Sequence, residues 1–84
     1  MQLEYSPIAA LNRTYALSKT KGNVVAINEA IKLGLEGNRF YHALLGQLYT
    51  GYNNTIARQQ FQKAIKLTNT FAEREALEKK LNAL

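Results

Sequence analysis

Ala30-Ile31-Lys32-Leu33 returns unchanged as Ala64-Ile65-Lys66-Leu67, thirty-four residues further along the chain. In the same register, Ala9, Leu11 and Tyr15 return as Ala43, Leu45 and Tyr49. One four-residue match carries little weight alone. Matches in two separate segments, at one spacing, point to a duplicated structural unit.

Outward from these repeats the apolar residues recur at helical spacing. Five helical segments are expected. Ser6 caps the first, with Pro7 at a position where its missing N–H is harmless. Ile8, Leu11, Tyr15 and Leu17 form its apolar side. Asn23 caps the second, with Ala26, Ile27, Ala30, Ile31 and Leu33 inward. Asn38 caps the third, which carries Tyr41, Leu44, Leu45, Leu48 and Tyr49. Asn54 or Thr55 caps the fourth, with Ile56, Ala57, Phe61, Ala64, Ile65 and Leu67 inward. Asn69-Thr70 breaks and caps again before a fifth helix with Phe71, Ala76, Leu77, Leu81 and Leu84 on its apolar side. There Glu73, Glu75 and Glu78 precede Lys79 and Lys80. That order suits the helix dipole, and Glu75–Lys79 is a favourable i,i+4 pair.

The period and the side chains resemble the tetratricopeptide repeat. Leu45-Gly46 followed by Tyr49, then Ala57, Phe61 and Ala64, follows the pattern of that family. Small residues at Gly46, Ala57 and Ala64 let two antiparallel helices approach, while Tyr49 and Phe61 fill the space beside them. There are departures. The turn before Ala57 is one residue short, Asn12 stands where glycine is usual, and Thr68-Asn69-Thr70 replaces the closing proline. The expected fold is all-α: a right-handed stack of antiparallel helix pairs in one domain over residues 1–84. Repeat one covers about 6–34, repeat two about 38–68, and a C-terminal capping helix about 70–83, with a polar outer face.

A narrower resemblance covers nearly the whole chain. Ser6-Pro7-Ile8-Ala9-Ala10-Leu11-Asn12-Arg13, Tyr41-His42-x-Leu44-Leu45, Ala57-Arg58 through Phe61, Ala64 and Leu67, and Ala72-Glu73-Arg74 with Leu77 and Lys80-Leu81 are similar to a bacterial group. These are the extracytoplasmic-function RNA polymerase sigma factors that carry a long helical C-terminal extension. The resemblance implies a regulatory, protein-interacting domain in transcription initiation. Its partners would be the N-terminal sigma regions of the parent protein or RNA polymerase. Promoter DNA would be contacted through upstream regions only, with Gln2 to Tyr5 as the tail of an earlier helix. An apolar, unfinished surface near Met1 to Leu11 would then favour a homodimer of the isolated domain. The alternative is a free-standing adapter that holds a peptide or protein ligand in its concave groove.

Composition narrows the field. The chain has 84 residues, 46% of them hydrophobic, with no cysteine and a formal charge of +5. A disordered chain is not expected from this balance. Thiolate metal sites and disulfides are excluded. No run approaches a membrane span, and a cytoplasmic setting with no membrane partner is expected. The bases are scattered, so direct nucleic-acid binding would need several of Arg39, Arg58, Lys63, Lys66 and Arg74 on one face. The chain has one histidine and no aspartate. It contains no phosphate loop, no His-x-x-x-Glu pair and no serine beside a base, so no enzymatic activity, metal or cofactor is expected.

The expected interaction surface is the inner face of the first and third helices: Ala9, Arg13 and Ala16 beside Ala43, Gln47 and Thr50. Arg13 supplies an always-charged donor among small residues, or else bonds to helix-end carbonyls. Asn12 is read as structural. Tyr15 and Tyr49 are read as core and Tyr52 as exposed. His42 is read as a half-buried packing residue with one hydrogen bond, or as a pH-sensitive interface contact.

Overall fold

The computed structural model describes residues 7–84. Among them are five helices and no strand: α1 (Pro7–Lys21), α2 (Asn23–Leu33), α3 (Arg39–Tyr49), α4 (Asn54–Leu67) and α5 (Phe71–Asn82). The expected cap Ser6 lies outside the described residues. No described helix is long and apolar enough to cross a membrane.

The connections are short, and each is built from local hydrogen bonds. Gly22 alone joins α1 to α2, at φ 92, where any side chain would be strained. Gly34 closes α2 in the left-handed region (φ 61) and donates to the Ile31 carbonyl at 3.1 Å. Asn38 caps α3 as expected, accepting from the amides of Phe40 and Tyr41. Thr70 caps α5 by accepting from the Glu73 amide.

Two expected caps are corrected. The cap of α4 is Asn53, which accepts from the Ile56 amide. Asn54 instead accepts from Gly51 N at 2.8 Å and closes the turn before it. Asn23 caps nothing. Its Nδ2 donates to the Leu48 carbonyl at 3.1 Å and ties the start of α2 to the end of α3. Gly22 occupies the cap position of α2 with no side chain to offer.

Two apolar clusters hold the helices. The first joins Leu11 of α1 and Ala26, Ile27 and Ala30 of α2 to Tyr41, Leu44, Leu45 and Leu48 of α3. The second joins Ala57, Phe61 and Ala64 of α4 to Leu77 of α5. Tyr49 packs against both and makes the core continuous. The repeat register is visible in burial: Leu11 and Leu45, Ile27 and Phe61, and Ala30 and Ala64 are buried in pairs thirty-four residues apart.

Other residues expected inside are not. Ile31 is 50% exposed and Phe71 79% exposed, and Tyr15 and Leu67 also reach the surface. The cause is rotational register. The buried stripe of α2 is Ala26, Ile27 and Ala30, and Ile31 lies about 100° beyond Ala30. Phe71 lies six residues before the buried Leu77, about 240° round the helix. Its exposure breaks the polar outer face expected of α5. Ile65, in the place equivalent to Ile31, is half-buried because it packs against the α4–α5 cluster.

Buried polar groups are all satisfied among the described residues. His42 is buried deeper than expected and both ring nitrogens are engaged. Nδ1 lies 2.8 Å from Gln60 Oε1, and Nε2 accepts from Gly37 N at 3.4 Å. With an acceptor oxygen at Nδ1 and a backbone N–H at Nε2, Nδ1 is the donor and Nε2 the acceptor. Burial pushes the neighbouring Tyr41 phenol above its ordinary range, with Glu36 and Tyr49 adding to the shift.

The tightest contact in the fold is at Gly46. A β-carbon there would stand 2.7 Å from two ring carbons of Phe61, which is 1% exposed and has nowhere to move. Overpacking of this kind costs about 1–3 kcal/mol, while alanine returns roughly 1 kcal/mol of helix propensity over glycine. Gly46→Ala is expected to lower stability by up to about 2 kcal/mol, read as a fall in melting temperature of roughly 4–8 °C per kcal/mol. The same change should cost less in a Phe61→Leu background, where the ring is gone.

Glu73 gives a second prediction. Its Oε2 accepts from Thr68 Oγ1 at 2.6 Å and from Arg39 Nε at 2.9 Å. The Thr68 bond, with Arg39 and Thr70 adding to it, holds its carboxyl below the ordinary carboxylate range against the opposing effect of burial. The stability this provides is complete above the ordinary carboxylate value. It is lost as pH falls through the lowered value, because protonation removes the charge that strengthens both bonds. Melting curves from neutral into acidic pH should therefore fall more steeply for the native chain than for Glu73→Gln.

Candidate interaction surface

Helices α1, α3 and α5 lie side by side and run in the same direction. The Arg39–Glu73 pair joins the starts of α3 and α5. Further along, Lys80 Nζ donates to Gln47 Oε1 at 3.3 Å. On the other flank of α3, Leu11, Asn12 and Tyr15 of α1 face Phe40, Ala43, Leu44 and Gln47 across a groove. The α3–α5 side carries two further hollows, one between Phe40, Ala43, Ala76 and Leu77, the other between Gln47, Thr50, Lys80 and Leu84. Phe40, Ala43 and Gln47 belong to hollows on both flanks. They form one furrow along the exposed side of α3.

Two aromatic rings line this furrow, each with a cation over its face. Arg39 stands 4.5 Å from the centroid of Phe40, and Lys19 Nζ stands 5.0 Å from that of Tyr15. Both rings remain about two-fifths exposed. This arrangement offers an apolar floor with charged donors at its edge. Glu73 is the carboxylate at the furrow, and it is already bonded to Arg39 and Thr68. The unbalanced charge of the furrow is therefore positive.

The six expected surface residues are divided by the fold. Ala43, Gln47 and Thr50 line the furrow. Arg13 and Ala16 do not; they line a separate groove between α1 and α2, with Ala10, Thr14, Leu17, Glu29 and Leu33. Ala9 is exposed on α1. Asn12 and Tyr15 take the α3 side of α1, which turns the intervening Arg13 about 100° away from Asn12. Asn12, read as structural, thus stands in the furrow, and Tyr15, read as core, forms part of its wall.

Sequence reasoning also passed over Phe40 and the Arg39–Glu73 pair. A signal for the pair existed: the two charges are opposite and thirty-four residues apart, so they occupy equivalent places on neighbouring units. Phe40 has no such signature, since its equivalents are Ser6 and Arg74. Tyr52 is exposed as expected and stacks on Tyr49, with ring centroids 6.1 Å apart. Of the five bases from which a nucleic-acid face would draw, Arg39 is bound to Glu73. Among the described residues no group of three histidines or carboxylates could hold a metal ion.

No family model and no solved structure matches the chain. A curated relative, the uncharacterized protein R00370 of Rhizobium meliloti (strain 1021), is 34% identical over 86 residues. The alignment covers 99% of this chain and 20% of the relative, so the chain spans about a fifth of the length of the curated protein it matches.

Proposed function

We propose that the chain is a protein-interaction domain built as a tetratricopeptide-like right-handed stack, with two repeats and a capping helix. In this reading it is the C-terminal regulatory part of an extracytoplasmic-function sigma factor. It works in the bacterial cytoplasm through contacts with the sigma regions or with RNA polymerase, and it performs no catalysis. The observation that carries the interaction role is the furrow. Three parallel helices set one repeat length apart leave Phe40 and Tyr15 partly exposed on a face with unbalanced positive charge. Exposed aromatic rings grouped with cations are costly to leave in water and are typical of binding surfaces.

The sigma-factor assignment draws on a separate observation. The Ser6-to-Arg13, Tyr41-to-Leu45 and Ala72-to-Arg74 stretches resemble that extension, and the matched relative is about five times as long as the aligned segment. A segment of a longer protein is consistent with both. The reading predicts saturable binding when the fluorescently labelled chain is titrated with bacterial core RNA polymerase, or with the sigma regions of an extension-bearing factor. Phe40→Asp, at a partly exposed site, should weaken that binding by roughly tenfold or more with little change in helicity. Absence of binding to either target at tens of micromolar would remove the sigma-factor assignment. Binding only to extended peptides, still sensitive to Phe40→Asp, would leave the free-standing adapter.

A further inference from the structure

Helix α4 buries Ala57, Phe61 and Ala64 and turns Thr55, Arg58, Gln59, Gln62, Lys63 and Lys66 to solvent. At about 100° per residue these exposed positions share an arc of about 140°, opposite the buried stripe. Arg58, Lys63 and Lys66 supply charge, and the others supply neutral donors. No acid lies on this helix, or anywhere from Gly37 to Ala72. Among the described residues, these side chains make no hydrogen bond or ion pair within the protein. Bases elsewhere are engaged: Lys32 with Glu29, Arg39 with Glu73, Lys79 with Glu75, Lys80 with Gln47, and Lys19 over Tyr15. Glu78 of α5 lines the groove beside Lys66, yet no ion pair joins the two.

We infer that the outer face of α4 binds the phosphodiester backbone of duplex DNA, without reading its sequence. The sequence asks that several bases meet on one face, and the fold brings Arg58, Lys63 and Lys66 to one side of one helix. Arg58 to Lys66 spans about 12 Å of helix axis. A duplex presents roughly seven phosphate charges over that length, so each cation can meet its own phosphate. The Gln59 and Gln62 amides and the Thr55 hydroxyl add donors of the kind that bond phosphate oxygens. The face carries no apolar or aromatic side chain to anchor the centre of a protein interface. For the same reason it lacks the stacking platform that single strands use. The exposed rings Tyr15 and Phe40 stand in the furrow along α3 instead. The inference is independent of that furrow, and it departs from the expectation that DNA is met through upstream regions only.

The test is fluorescence anisotropy of a labelled duplex of arbitrary sequence titrated with the full chain. Binding at about 50 mM salt should be saturable. Its log–log dependence on salt should have a slope of about −2.7, a loss of about fortyfold between about 50 and 200 mM. Lys63→Gln combined with Lys66→Gln, exposed changes that keep helix propensity, should cut the slope to about −0.9 while circular dichroism stays the same. Lys21→Gln combined with Lys79→Gln removes the same charge elsewhere and should keep the native slope. An equal loss from both pairs of changes would reduce the effect to net charge and overturn the inference. So would tighter binding to a single strand or to polyglutamate than to the duplex, or no binding to the duplex at the lower salt.

Discussion

The contact between Gly46 and the Phe61 ring sets the distance between α3 and α4, the most extensive helix pair in the molecule. Other features depend on that distance. A close crossing buries Ala57 and Ala64 completely, because only small residues fit where two backbones nearly meet. With α3 and α4 close, Tyr49 reaches both apolar clusters. His42 reaches Gln60 across the same interface. The first pair is joined differently. Asn12 stands in the place of the glycine, exposed in the furrow, and Ile27 in the place of the phenylalanine, so the close glycine–ring contact has no counterpart there. The contact between α1 and α2 is correspondingly less extensive.

The fold was legible in the sequence because its strongest signals are local. Asn38 and Thr70 announce helix starts through their own side chains, and Gly34 and Gly51 announce turns through their backbone freedom. Asn53 and Asn54 show the limit of that logic. Two adjacent asparagines are equally good caps, and the choice between them depends on the turn before, where Asn54 is held by Gly51 N. Asn23 looked like a cap for the same reason, yet its partner lies twenty-five residues away on another helix. No local pattern encodes that bond.

The candidate surface was harder to read. On a short helix with apolar residues on more than one side, a rotation of one residue exchanges a groove position for a core position. Arg13 and Asn12 illustrate this. They are neighbours in sequence, but they line opposite grooves because α3 approaches α1 on the Asn12–Tyr15 side. Which side α3 takes is decided by Leu11, whose burial against α2 and α3 fixes the roll of α1. Ile31 follows the same rule. Its sequence environment is identical to that of Ile65, and only the arrival of α5, with Leu81, separates their exposure.

The fifth helix shows how a repeat departs from its own register. The positions that α3 buries as Tyr41, Leu44, Leu45 and Leu48 are Glu75, Glu78, Lys79 and Asn82 in α5. Burying two glutamates and a lysine without partners would cost several kcal/mol each, so α5 does not dock as α3 does. It turns Leu77 and Leu81 inward instead, and these are the equivalents of Ala43 and Gln47 in the furrow. The roll that furrow residues use to face solvent on α3 is thus the roll that closes the core on α5. A helix laid on that row of α5, as α2 lies on the row of α3, would meet Glu75, Glu78, Lys79 and Asn82.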